Sequence, residues 1–405
     1  MRKSKKDGSG KAHVASTINE PLYVNRPVAV NKQGFLSRFD EIWDARWFTN
    51  DGPMVQELEH ELAKYLGVGH CVLASNGTAA MGLLIDALGL GGKVVLPAFT
   101  FVSTAHLLAL RRMEPVFCDI YPDGHDLSVE HCQELLSDET SAVIATHIWG
   151  RPAKIESLQA LCDEAGIPLI FDAAHAFGTR HGERMIGRFG RAEVFSFHAT
   201  KLFHTFEGGA VTTECSELAE RLRQLRNFGF TEYDQVDCIG TNAKMSEVHA
   251  AMGLANLESI ESIMMGTRDV YEAYERGLRS IEGLTLARPR SKAETNNYYV
   301  PVLVDEAKFG VTRDKLVSVL HSENVLVRRY FYPGSHRLAP YKAIVGDMIS
   351  LPVTDFVSER IMVLPGGASL TVEDVEAVCS LLERIHLKHA DKGDRPPLSD
   401  NPGLG

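Results

Sequence analysis

The chain has 405 residues, of which 44% are hydrophobic and 23% are charged, and its formal net charge is −11. This length and apolar content suffice for a sizeable core, which we expect to be divided between two domains. The acidic balance argues against a nucleic-acid-binding surface, and no apolar run approaches the length of a membrane span. Seven cysteines without CxxC spacing indicate reduced thiols and a cytoplasmic protein. The sixteen histidines show no metal-binding spacing, so we expect no metal.

Short apolar segments alternate with amphipathic segments of helical period along the first half of the chain. The predicted strands are residues 71–74, 94–97, 115–119, 142–146, 169–172 and 194–197. A further strand at 208–213 is entered through a glycine turn and is expected to close the sheet. The alternation predicts an α/β fold in which helices cover both faces of a mostly parallel sheet.

Helical segments near residues 245–260 and 261–281 lead to a second unit. This unit has predicted strands near 298–304 and 325–328 and a final helix after Thr371. We therefore predict a large domain over 16–260 and a smaller C-terminal α+β domain over 261–388. The polar residues 1–15 and 389–405 offer little to bury and are predicted to be disordered tails.

Lys201 lies in an aromatic, nearly uncharged segment, Val194 to Gly209. A desolvated ammonium loses protons more readily, so such a lysine is suited to attack an aldehyde. The alternative is a lysine whose stem packs on apolar surface while its amine reaches water.

Asp172 ends a short apolar strand and is followed by small residues, Ala173 and Ala174, and by His175. The carboxyl ends of parallel strands are where open α/β sheets bind ligands. The other interpretation is an aspartate that caps the next helix. Together with Lys201, this carboxylate indicates pyridoxal phosphate, because the lysine would hold the aldehyde while the acid keeps the pyridine nitrogen protonated.

The turn around Gly77 and Thr78 follows a strand and opens a helix, which is an arrangement that binds phosphate through backbone amides and the helix dipole. The same residues are also a good N-cap signal. Ser196, five positions before the lysine, is a further donor to that phosphate. Phe101 follows another strand and could stack on the cofactor ring, or could be core.

Six motifs occur in an order that resembles the DegT/DnrJ/StrS family of sugar aminotransferases. They are Ser75–Ala80, Pro97–Phe101, Asp172–Ala176, Ser196–Lys201, Phe206–Gly209 and Gly240–Glu247. The resemblance extends from about Pro21 to about Ile385. It implies a fold-type I enzyme that depends on pyridoxal phosphate and acts on nucleotide-linked keto sugars.

The resemblance also implies a role for each matched residue. Lys201 would be the lysine of the internal aldimine, Asp172 the partner of the pyridine nitrogen, and His175 a neighbour of the phenolic oxygen. The remaining cofactor contacts would be Gly77, Thr78 and Ser196 at the phosphate, Phe101 on the ring, and Asn242 at the phosphate of the neighbouring subunit. A homodimer with shared active sites is therefore expected.

Within the family, the sequence around Lys201 resembles the branch that aminates C4 of TDP-4-keto-6-deoxyglucose or a close relative. We expect L-glutamate as the amino donor and pyridoxamine phosphate as the intermediate, in the biosynthesis of deoxyamino sugars such as those of lipopolysaccharide O-antigens. Candidate contacts for the sugar or diphosphate are Arg226, Arg329, Tyr332 and His336. Amination at C3 or of another sugar nucleotide, and a non-catalytic regulator that binds the cofactor, remain alternatives.

Overall fold

The computed structural model describes residues 18–28, 31–288, 294–346 and 349–390. In chain order the strands are β1 (Leu22–Tyr23), β2 (His70–Ala74), β3 (Lys93–Pro97), β4 (Glu114–Cys118), β5 (Thr140–Thr146), β6 (Leu169–Asp172), β7 (Arg180–His181), β8 (Arg184–Met185), β9 (Ala192–Ser196), β10 (Gly209–Thr213), β11 (Phe230–Glu232), β12 (Gln235–Val236), β13 (Leu284–Leu286), β14 (Val300–Val304), β15 (Val325–Leu326) and β16 (Ile361–Leu364).

The α-helices in the same ranges are α1 (Lys32–Ala45), α2 (Pro53–Leu66), α3 (Gly77–Ala87), α4 (Ser103–Leu110), α5 (Val129–Leu135), α6 (Ile155–Ala165), α7 (Ser216–Arg226), α8 (Glu247–Leu257), α9 (Ile260–Gly277), α10 (Glu306–Phe309), α11 (Arg313–Ser322), α12 (Ala339–Val345), α13 (Pro352–Arg360) and α14 (Val372–Ala390). None of the helices in the described ranges is long and apolar enough to cross a membrane.

A seven-stranded sheet in the order β2-β10-β9-β6-β5-β3-β4 forms the centre of the large domain. All six strands predicted before residue 200 are confirmed, with ends displaced by two residues or fewer. The expectation that 208–213 closes the sheet is wrong. β10 lies inside the sheet and pairs antiparallel with both β2 and β9, so the other strands share one direction.

Residues along each central strand alternate between two cores, because successive side chains point to opposite faces. In β2, Cys71 and Leu73 join one core, whereas Val72 and Ala74 join the other. Helices α2 and α8 pack together on the first side, and α3 and α7 cover the second. The prediction of a mostly parallel sheet with helices on both faces is therefore confirmed.

A three-stranded antiparallel sheet, β13-β14-β16, forms the smaller unit together with α9 and α14. The proposed boundary near residue 260 coincides with the start of α9, whose first turns pack on the large core and whose later turns pack on the small one. The N-terminal segment differs from expectation, because β1 pairs with β15 of the smaller unit. Residues 389 and 390, which were predicted to belong to the C-terminal tail, are helical, since α14 continues to Ala390. The predicted N-terminal tail, 1–15, and the rest of the predicted C-terminal tail, 391–405, lie outside the described residues.

The N-terminus of α2 is capped by a side chain from a distant helix. Its own N-cap residue, Gly52, offers no side chain, and the N–H groups of Met54 and Val55 donate to the carboxylate of Glu247 at 2.8 and 3.4 Å. A Cβ on Gly52 would come within 2.6 Å of that carboxylate. Glu247, the last residue of the Gly240–Glu247 motif, thus joins α8 to α2 by stabilising the positive end of the helix dipole.

We predict that Glu247→Ala lowers the free energy of unfolding by about 1–3 kcal/mol, because buried amides lose their acceptor. Urea denaturation followed by circular dichroism measures the change. The matched control is Glu61→Ala on α2, the helix that Glu247 caps; the Glu61 carboxylate pairs with Lys64 at 3.4 Å on the surface and contributes about 0–1 kcal/mol. Equal effects of the two substitutions would contradict the capping role.

Candidate active site

A cavity of about 690 Å³ opens at the carboxyl edge of the central sheet. Because β2, β3, β5, β6 and β9 run in the same direction, the residues that follow them meet at this edge. The predicted site residues that line the cavity are Gly77, Thr78, Phe101, Asp172, His175, Ser196 and Lys201. The fold thus brings together residues that are up to 124 positions apart, from 77 to 201.

Lys201 lies in the loop that connects β9 to β10. Its backbone N–H donates to the carbonyl of His198 at 2.8 Å, which turns the chain so that the side chain points into the cavity. Burial lowers the pKa of the Lys201 amine to about 8, and the negative charge of Asp172 opposes this shift. About a tenth of the amine is therefore neutral, and nucleophilic, at pH 7, which is far more than for a lysine with the ordinary pKa of 10.5.

Asp172 ends β6, the strand beside β9, and its side chain is 8% exposed. The Ala174 N–H donates to one carboxylate oxygen at 3.1 Å, and the Thr104 hydroxyl donates to the other at 3.2 Å. Burial raises the pKa of Asp172, whereas these hydrogen bonds and the charge of Lys201 lower it. A cationic partner in the cavity would stabilise the carboxylate further.

His175 is held in one tautomer by the backbone. The Trp149 N–H donates to Nδ1 of His175 at 3.2 Å, so the neutral ring carries its proton on Nε2. Burial and the charge of Lys201 keep the pKa of His175 well below its ordinary value. The ring also stacks on Phe331 at a centroid distance of 6.1 Å. His175 can therefore donate a hydrogen bond into the cavity without carrying a charge.

The first turn of α3 and the end of β9 form a cradle for an anion. The Asn76 side chain accepts the N–H of Ala79, which leaves the amides of Gly77 and Thr78 at the open helix end. Within the described ranges, the hydroxyls of Thr78 and Ser196 make no hydrogen bond. A Cβ on Gly77 would meet the Cβ of Ser196 at 2.9 Å, so the close approach of the two segments requires glycine.

Pyridoxal phosphate fits this set of donors. The cradle offers amides and hydroxyls for a phosphate, Asp172 offers a buried carboxylate for a basic ring nitrogen, and Lys201 offers an amine of lowered pKa for an aldehyde. Within the described ranges, no group of three or more histidine, cysteine, aspartate or glutamate side chains is placed to hold a metal ion.

Two of the predicted residues lie elsewhere. Asn242 is exposed and does not line the cavity; its backbone pairs with Asn227. Arg226 is 4% exposed, and its guanidinium donates to Glu59 and Asp51 at 2.5 Å each. The structure therefore engages Arg226 in an internal ion-pair network between α7 and α2, outside the cavity that it was expected to serve.

The other candidate substrate contacts lie beside the main cavity. Arg329 and the exposed Tyr332 line a second cavity of about 350 Å³, which shares Phe101 with the first. Arg329 also donates to Asp314 at 3.1 Å. His336 is buried, 3.1 Å from Asp355, and lines neither cavity. Only some of the side chains between residues 328 and 336 therefore line the two cavities.

Sequence reasoning missed several residues that line the cavity. Arg328 precedes the chosen Arg329, and its backbone pairs with Val363, next to β15. Tyr299 belongs to the smaller unit, and its hydroxyl lies 3.5 Å from Nζ of Lys201. The sequence offered one indication of Arg328, which is adjacent to the candidate Arg329. It offered no local indication of Tyr299, which is 98 residues from Lys201 along the chain.

A lysine, a buried aspartate and a phosphate cradle at the carboxyl edge of this sheet define a fold-type I aminotransferase that depends on pyridoxal phosphate. The chain belongs to the DegT/DnrJ/EryC1/StrS aminotransferase family, whose model matches residues 30–383.

The comparisons with known proteins identify sugar aminotransferases. The chain is 34% identical to a dTDP-4-amino-4,6-dideoxy-D-glucose transaminase of Shigella dysenteriae, covering 91% of this chain and all of the relative. It is 31% identical to a transaminase of the same name from Escherichia coli, covering 90% and 98%. The crystal structure of DesI in the presence of its TDP-sugar product superposes with a TM-score of 0.87 at 39% identity, covering 93% of this chain and 97% of DesI.

We predict that the cofactor-free protein takes up pyridoxal phosphate at a rate that rises with pH and levels above about pH 8. The reason is that only the neutral amine of Lys201 attacks the aldehyde. Stopped-flow absorbance in the visible band measures this rate. Asp172→Asn should move the inflection to lower pH, because the charge of Asp172 raises the pKa of Lys201. An inflection near the ordinary lysine value of 10.5 would contradict the lowered pKa.

Proposed function

We propose that this protein transfers the amino group of L-glutamate to the 4-keto group of a nucleotide-linked 4-keto-6-deoxy sugar, with a dTDP sugar as the substrate class. The observation that carries the proposal is the meeting of Lys201, Asp172 and the phosphate cradle in one cavity. The names of the Shigella relative and its E. coli counterpart favour C4 over C3. The TDP-sugar product present in the DesI structure supports the nucleotide.

Pyridoxal phosphate, when bound, supplies a ring that delocalises the negative charge left when a proton leaves the adjacent carbon. We assign Gly77, Thr78 and Ser196 to its phosphate and Asp172 to its ring nitrogen. With Asp172 ionised, that nitrogen stays protonated and the electron demand of the ring is preserved. Phe101 is assigned to the face of the ring, where an aromatic side chain can stack.

Lys201 moves the protons. Its amine, whose pKa is lowered by burial, removes the proton from the α-carbon of L-glutamate in the first half of the reaction. In the second half it returns a proton to C4 of the sugar. Nε2 of His175 donates a hydrogen bond beside these atoms without competing for the proton, since burial keeps that ring neutral. One lysine therefore serves both halves, and the amino acid and the sugar use the site in turn.

A homodimer with shared sites is part of the proposal. Asn242 is exposed outside its own cavity, and is assigned to the phosphate of the neighbouring subunit. The segment that precedes it carries exposed apolar side chains, namely Phe228, Phe230, Tyr233, Val236 and Ile239. Large exposed apolar patches mark interaction surfaces, which supports burial of this segment against a second copy. We place the enzyme in the cytoplasm, in the synthesis of deoxyamino sugars.

Arg328 is proposed as the residue that binds the substrate anion. It is the arginine among the described residues lining the main cavity, and it makes no ion pair with a described carboxylate. Its guanidinium carbon lies 5.0 Å from the centroid of the Tyr330 ring. Both substrates are anions, L-glutamate through its carboxylates and the sugar nucleotide through its diphosphate, and a guanidinium binds either bidentately. Arg329 and Tyr332, in the adjoining cavity, are proposed to contact the nucleotide portion.

We predict that L-glutamate alone replaces the visible absorbance band of the purified protein by a near-ultraviolet band of pyridoxamine phosphate. Addition of dTDP-4-keto-6-deoxyglucose then restores the visible band, and NMR of the product places the amine at C4. Lys201→Ala is the control, since it lacks the amine that both halves need and should show neither change. A visible band that L-glutamate leaves unaltered would exclude this donor, and an amine at C3 would exclude the assigned position.

We predict that Arg328→Gln raises the half-saturating concentration of the anion it binds about 10- to 100-fold, the effect of losing one charge-assisted hydrogen bond. Titrating each half-reaction separately distinguishes the two sources, L-glutamate and sugar nucleotide. Arg328→Lys should retain part of the affinity. The control for net charge is Arg276→Gln on α9, a surface arginine that pairs with Glu272. If neither titration changes relative to that control, Arg328 binds neither anion.

A further inference from the structure

A four-residue segment of the smaller unit, Asn296–Tyr299, contacts the functional loops of the large domain. The Asn296 side-chain amide donates to the carbonyl of His175 at 2.8 Å and to that of Phe177 at 3.0 Å. The Tyr298 hydroxyl donates to the carbonyl of Thr200 at 3.1 Å. The segment leads directly into β14, so the sheet of the smaller unit holds both loops in place.

Tyr299 contacts the side chain of the reactive lysine itself. Its hydroxyl oxygen lies 3.5 Å from Nζ of Lys201, and its ring lies 4.5 Å from that of His175, centroid to centroid. Tyr299 is 4% exposed and lines the main cavity. It therefore contacts both the base and the histidine that the proposed mechanism uses.

We propose that Tyr299 is a positioning residue, whose hydroxyl accepts a hydrogen bond from Lys201 and holds the released amine in position for proton transfer. This inference rests on the proposed function, since it assigns a partner to the lysine of that reaction. No covalent step is involved: the hydroxyl neither gains nor loses a bond to carbon.

The physical need for such a partner comes from the two forces that act on a released lysine. The four-carbon side chain has many rotamers, and fixing it costs conformational entropy. The negative charge of Asp172 attracts the ammonium. A neutral acceptor 3.5 Å from Nζ limits displacement of the amine toward that carboxylate. Burial raises the pKa of Tyr299 far above neutral, so the hydroxyl stays uncharged throughout the reaction.

The test compares Tyr299→Phe with Tyr298→Phe in the holoenzyme. Both substitutions remove a buried hydroxyl from neighbouring positions, but the Tyr298 hydroxyl binds a backbone carbonyl and not the amine. The first half-reaction is followed by stopped-flow absorbance with L-glutamate and with α-deuterated L-glutamate. Tyr299→Phe should slow this step about tenfold, the effect of one hydrogen bond of ordinary strength. It should also increase the deuterium isotope effect, with little change in the half-saturating glutamate concentration. Tyr298→Phe should leave the isotope effect as in the wild type.

A second measurement does not depend on turnover. The pH inflection for uptake of pyridoxal phosphate by the cofactor-free protein should fall in Tyr299→Phe, because the ammonium loses an acceptor, and should not move in Tyr298→Phe. If the wild type fails to react with L-glutamate, the proposed donor is wrong, and this inflection still decides the role of Tyr299. Equal isotope effects and equal inflections in the two variants would overturn the inference. A melting temperature measured on each variant separates loss of fold from loss of positioning.

Discussion

Burial of an amine and a carboxylate at the same sheet edge is the constraint on which the site depends. Burial lowers the pKa of Lys201 and raises that of Asp172, while each charge stabilises the other. A ligand with an aldehyde and a basic ring nitrogen offsets the unfavourable burial of both charges. The aldehyde reacts with the neutral amine, and the protonated ring nitrogen pairs with the carboxylate. In the proposed complex, affinity for this cofactor thus follows from the electrostatics at the ends of two strands.

The sheet topology separates the two ends of that ligand. Asp172 and Lys201 follow β6 and β9, which are parallel neighbours. The phosphate cradle instead uses β2 and β9, which are held apart by the antiparallel β10. Gly209 pairs with Ala74 on one side and Ser196 on the other, and a Cβ there would come within 2.5 Å of the Gly77 amide. Gly209, the first residue of β10, is therefore needed for the close approach that forms the cradle.

The parts that the sequence predicted are those with a local signal. Short apolar runs indicate strands. A polar residue at the end of such a run, such as Asp172, is expected at the ligand-binding edge, because parallel sheets bind ligands at the carboxyl ends of their strands. Side chains whose partners are distant in sequence carry no such signal. Arg226 resembles a phosphate ligand until the structure shows Glu59, 167 residues away, as its partner. Glu247 and Tyr299 acquire their roles in the same way, through contacts 193 and 98 residues apart. The internal position of β10 was missed because strand order depends on tertiary packing.

Net charge is a poor guide to the ligand of such a site. A chain of charge −11 repels anions at long range, yet exposed charges are screened beyond about 8 Å at physiological ionic strength. Within that distance the cavity offers the open N-terminus of α3, the Lys201 amine and the guanidinium of Arg328. Asp172 opposes them, but its charge is matched by the cofactor's ring nitrogen in the proposed complex. Local geometry, and not the overall balance of charge, therefore accounts for the proposed binding of two anionic substrates in one cavity.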